Sequence, residues 1–75
     1  MTEHFCGVYR GLVMDIADPE SRGRIKVQIP QIFGDLVLPY WAWPVNPGLV
    51  PTLGMGAFVM FEAGDPDKPV WIGTF

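Results

Sequence analysis

The sequence predicts an all-β chain folded as a small barrel of five short strands. Eight Pro and nine Gly are spread through 75 residues, so no long window keeps a 3.6-residue helical period. Between these breakers the segments are short and rich in β-branched and aromatic residues, as strands are. An open sheet of this size would leave unpaired edges, which closure removes.

The first strand runs from Gly7 to Ile16. Gly11 has no side chain to pack and marks a bulge or bend, where the strand curves from one sheet into another. The turn Asp18-Pro19-Glu20-Ser21-Arg22-Gly23 follows, opened by Asp-Pro and closed by a glycine that accepts positive φ. Arg24 to Ile29 is the clearest strand: Ile25, Val27 and Ile29 alternate with Arg24, Lys26 and Gln28, one core face and one wet. Pro30 ends it, and a loop through Gln31, Gly34 and Asp35 leads to a third element near Leu38 to Val45. That element holds Tyr40, Trp41 and Trp43 between Pro39 and Pro44, which makes it short and an edge strand.

Asn46 to Gly54 contains Pro47, Gly48 and Pro51 and allows at most a turn of helix. The fourth strand, Met55 to Ala63, is apolar on both faces, with Ala57, Val59 and Phe61 opposed to Phe58 and Met60. Gly64-Asp65-Pro66-Asp67-Lys68 is a tight connection into a fifth strand, Pro69 to Phe75, where Val70 and Ile72 are opposed to Trp71 and Phe75. The expected architecture is an antiparallel barrel of OB or SH3-like type, one domain over residues 1–75 with residues 1–6 a flexible arm.

A chain this short has a thin margin over conformational entropy. Cys6 is the only cysteine, so no internal disulfide adds to that margin. His4 and Cys6 are too few for a structural zinc, so neither metal nor cofactor is expected. Association remains. Hydrophobic residues make up 49% of the chain, more than a small barrel can enclose, so an apolar surface is expected. Phe58, Met60, Trp71 and Phe75, on the surplus faces of strands four and five, are the candidate contact residues, with Trp41 and Trp43 beside them. The net charge of −3 argues against a phosphate-tracking surface. Residues 1–6 lack a signal-peptide pattern and no apolar run is long enough to span a membrane, so a soluble cytosolic product is expected.

Three segments, in order, resemble a known family. They are Gly7-Val8 through Asp18-Pro19 to Gly23-Arg24-Ile25-Lys26-Val27, then Tyr40-Trp41-Ala42, then Val50-Pro51-Thr52-Leu53-Gly54 through Phe61 to Gly64-Asp65-Pro66-Asp67-Lys68-Pro69-Val70-Trp71-Ile72-Gly73. Together they are similar to the OB-fold domain of phage baseplate assembly protein V, shared with the T-even tail-spike lysozyme and the VgrG spike of type VI secretion systems. The resemblance covers Gly7 to Phe75. It implies a five-stranded OB-like barrel and a homotrimer on the axis of a virion tail or injection machine, assembled in the host cytoplasm. Its implied partners are a tail hub protein and a spike or needle protein. In that family a β-helical spike, sometimes with a lysozyme part, follows the barrel; here it would be a separate polypeptide. Read from chemistry alone, the shared residues Asp18, Pro19, Gly23, Gly64, Asp65 and Pro66 define turns.

Catalytic candidates are sparse. His4 and Cys6 form a potential Cys-His pair near the terminus, with no third group at useful spacing. Asp65 and Asp67 resemble a carboxylate pair but sit in what reads as a solvated turn. No enzymatic activity is expected. The alternative function is binding of single-stranded nucleic acid, with Tyr9, Tyr40, Trp41, Trp43 and Trp71 as stacking residues and Arg10, Arg22, Arg24 and Lys26 as charge. Against it, the Tyr40 to Trp43 run has no basic residue near it in sequence, which favours protein contact.

Overall fold

The computed structural model describes residues 5–46 and 48–75. Its strands are β1 (Tyr9–Asp15), β2 (Lys26–Gln28), β3 (Trp43–Pro44), β4 (Gly56–Phe61) and β5 (Pro69–Thr74), in the sheet order β2-β1-β4-β5-β3. The two ends of this sheet meet. Ile25 and Ala42 exchange backbone hydrogen bonds of 3.1 and 2.7 Å, and Gln28 bridges Val37, so β2 lies against the segment that enters β3. The chain is thus an OB-like barrel, and nearly all β.

One expectation needs correcting. The sheet is mixed, because β3 pairs parallel with β5 while the other strand pairs run antiparallel. A ring with an odd number of strands cannot reverse direction at every seam. One pair must run parallel, and it is the short one.

β1 serves two neighbours. Tyr9 to Leu12 pair with β4 and Leu12 to Asp15 with β2, so the strand bends across the seam. The bulge falls between Val13 and Asp15 rather than at Gly11. Gly11 instead permits close approach: a Cβ there would sit 3.0 Å from the Gln28 carbonyl oxygen and 3.3 Å from Ile29. Pro30 ends the β2 segment as expected, but it also opens a single helical turn, α1 (Pro30–Phe33), which the sequence reading lacked. No helix occurs among the described residues of the 46–54 stretch.

The core comprises Val13, Ile25, Val27, Ile29, Leu38, Ala42, Ala57, Val59, Phe61 and Trp71. Strand alternation put Ile25, Val27 and Ile29 inside, and all three are fully buried. In β5 alternation misleads. Val59 pairs with Trp71 and Phe58 with Gly73, which makes Ile72 the extra residue of a bulge. Parity shifts there, so Trp71 turns into the core while Phe75 packs its ring over Gly56 on the outside. Of the expected arm, residues 1–4, including His4, lie outside the described residues. Phe5 is docked, donating its N–H to the Gly64 carbonyl at 3.0 Å and packing its ring against Tyr9, Phe33 and Phe61.

The Trp71 indole N–H donates to the Gly23 carbonyl at 3.0 Å, tying β5 to the β1–β2 turn. Trp71→Phe removes that donor and leaves a small void. Chemical denaturation of the variant should show a loss of about 2–4 kcal/mol, combining a half-buried carbonyl that loses its donor with underpacking of the core.

Candidate functional site

The structure divides the six candidate contact residues among three places. Trp71 is wholly enclosed in the core, so it leaves the set of surface candidates. Phe58, Met60 and Phe75 lie on the outer face of β1, β4 and β5. Trp41 and Trp43 flank Ala42 on the outer side of β3, across from the wet face of β2.

On the first surface, Arg10, Leu12 and Met14 of β1 project beside Phe58 and Met60 of β4, Ile72 of β5 and Phe75 just beyond it. Phe58 and Phe75 pack at 4.8 Å between ring centroids, and the Arg10 guanidinium lies 5.8 and 5.4 Å from their centres. Gly56 makes this possible, since any Cβ there would collide with the Phe75 ring. Met60 remains 38% exposed and Phe75 53%. Exposed Met and aromatic side chains around an arginine have the composition of an interface centre.

The second surface is built on the β1–β2 turn. Asp18 accepts backbone N–H bonds from Glu20 and Arg22 at 2.9 Å and from Arg24 at 3.2 Å. Its two oxygens also take the Arg24 guanidinium side-on, at 2.7 Å from Nη2 and 3.1 Å from Nε. Hydrogen bonding from Arg24 therefore holds the Asp18 carboxyl well below the usual carboxylate range, and the pair raises Arg24 in return. Arg24 then lies 5.7 Å from the Trp41 ring centre and 5.0 Å from that of Trp43, with the Lys26 ammonium 4.9 Å from Trp41. The aromatic run has no basic neighbour in sequence, but it has two in space, delivered across the strand seam. The Arg24 charge is already committed to Asp18 and Glu20.

The predicted turn residues lie in tight turns. Gly23 has φ 76° and Gly64 φ 74°, and the Asp65 carboxylate accepts the Asp67 N–H at 2.9 Å. Pro19 and Pro66 are the second residues of the two Asp-Pro turns. Ser21 and Ala63 also adopt positive φ, which their residue types did not signal. Asp65 and Asp67 stand near Tyr40, and the Asp67 charge pushes the Tyr40 phenol up. No group of metal-ligating side chains occurs among the described residues. Cys6 is exposed.

A family model described as the type VI secretion system/phage-baseplate injector OB domain matches residues 9–75. No curated protein matches the chain. The matched span contains both surfaces and the turn that joins them.

A carboxylate held at depressed pKa contributes stability that is present above its unfolded value, about 4, and is lost as pH falls toward the folded value. Asp18→Asn should therefore melt well below the parent at pH 7. The gap should hold to about pH 5 and narrow steeply below about pH 4, where folding of the parent must expel a proton. Thermal melts across that range check it; a gap unchanged at pH 2 would contradict the charge assignment.

Proposed function

The chain belongs to the type VI secretion system/phage-baseplate injector OB domain family, and on that premise we propose that it is a trimeric hub adaptor joining a tail hub to a cell-puncturing spike. Membership alone makes it a structural part of a baseplate or injector, working through contact with other proteins. The finer reading rests on the outer face of β1, β4 and β5. Leu12, Met14, Met60, Ile72 and Phe75 are all at least about a third exposed there, around Arg10. A barrel this small gains most from covering such a face with copies of itself. In this reading the chain performs no chemistry of its own, and its place is the baseplate of a particle assembled in the host cytoplasm.

The juxtaposition of Arg24 and Lys26 with Trp41 and Trp43 gives single-stranded nucleic acid binding a specific observation in its favour. The surrounding charge opposes it. Asp18 and Glu20 neutralise Arg24, and Glu62, Asp65 and Asp67 line the β4–β5 connection against a single Lys68.

Light scattering at micromolar concentration should give three times the chain mass, unchanged or strengthened by added salt, since apolar burial rather than ion pairing drives it. Substituting both Met60→Lys and Ile72→Lys places charge on the exposed face without touching the core. The double variant should be a folded monomer by near-ultraviolet circular dichroism. A parent chain that is itself a stable, folded monomer would refute self-association.

A further inference from the structure

We propose that the cleft between β3 and the β4–β5 connection binds the end of an uncharged pyranoside glycan, with Trp43 as the stacking platform. This goes beyond the adaptor reading and uses a different surface. The cleft has a volume of about 280 Å³ and is lined by Trp41, Trp43, Glu62, Asp67, Lys68 and Pro69. That is just below the usual range of ligand cavities, roughly 300 to 1,000 Å³, and suits a chain end better than an extended run.

The lining combines what a sugar ring requires. A pyranose has an apolar face, made of its axial C–H groups, and a rim of hydroxyls that both donate and accept. Trp43 is 46% exposed although Arg24 lies 5.0 Å from its ring centre, so ring surface remains for a ligand. Glu62 and Asp67 accept from hydroxyls, and Lys68 donates to them. Tyr40, outside the lining itself, is exposed beside Asp67.

The platform is also held in place before any ligand arrives. Arg24 is fixed side-on by Asp18 and lies against both indoles, so their orientation does not have to be ordered on binding. The charge of the lining selects among ligands. Two carboxylates offset Lys68 in the lining and Lys26 beside Trp41, so a polyanion, nucleic acid or acidic polysaccharide, finds no net positive charge to offset its desolvation cost. An uncharged glycan meets no such penalty. Small-barrel OB folds use their strand 2–3 face and the adjoining loops for oligosaccharides as well as oligonucleotides, so the location is mechanically suited to either.

The three tryptophans make the test internally controlled. In a ¹H–¹⁵N spectrum of the whole chain, oligomers of N-acetylglucosamine and of glucose serve as uncharged probes, with a single-stranded oligothymidylate for comparison. The Trp43 and Trp41 indole resonances should shift with a Kd on the order of 1 mM that salt does not change, while the core indole of Trp71 stays still. Asp67→Asn should weaken binding about tenfold and Trp43→Ala should abolish it, with an unmoved Trp71 resonance showing that each variant is folded. No Trp43 shift with any uncharged oligomer at millimolar concentration overturns the proposal. So does oligothymidylate binding at the same indoles that is tighter and weakens steeply with salt, which would assign the cleft to nucleic acid.

Discussion

The contact between Asp18 and Arg24 fixes three parts of the barrel together. Five donor groups converge on one carboxylate, three from the backbone of the turn and two from the guanidinium. The turn therefore closes in one conformation and presents the Gly23 carbonyl to Trp71. Above it, the immobilised guanidinium becomes a support for Trp41 and Trp43. A nearly enclosed arginine is tolerable because its countercharge comes from the same turn. Removing either partner would leave a charge with poor access to water and release both indoles.

The barrel's other constraint is geometric. Five strands in a ring force one parallel seam, and that seam is only two residues long. Parallel pairing needs a long connection, and between β3 and β5 it consists of the broken stretch, β4 and the β4–β5 connection. Two glycines then set close approaches: a Cβ at Gly11 would sit tight against the Gln28 carbonyl and Ile29, and one at Gly56 would collide with the Phe75 ring. The inner and outer surfaces are thus both shaped by the absence of a side chain.

Much of this was legible from residue order. Period-two alternation placed Ile25, Val27, Ile29, Ala57, Val59 and Phe61 inside and Phe58 and Met60 outside, because alternation is a local property of any regular strand. The Asp-Pro turns were readable for the same reason. Trp71 and Phe75 were not separable, since the bulge at Ile72 that changes their parity depends on pairing with β4. Arg24 was placed on the outer side of its strand as a wet residue, whereas it is buried there. That it is covered there by a carboxylate and two indoles is a tertiary event, and no sequence neighbour announces it. The basic and aromatic residues of the β2–β3 surface come from separate segments, so their adjacency was invisible until the ring closed. The Trp43 cleft has the same origin, because Asp67 and Lys68 reach it from the far end of the chain.

The pairing of β1 with β4 sets the order in which this protein can be made. Tyr9 must wait for Val59, and the Gly23 carbonyl must wait for an indole 48 residues later in the chain. A nascent chain that has released β1, β2 and β3 from the ribosome can pair β1 with β2 and β2 with the segment entering β3, but it has neither β4 nor β5 to close the ring. Folding dominated by such distant partners is slow, and it must wait until β5 is available. The apolar outer face is composed of β1, β4 and β5, so it does not exist as a surface until the final strand is in place. A chain that still lacks β5 cannot present that face at all. The outer surface is a property of the closed barrel and of no part of it.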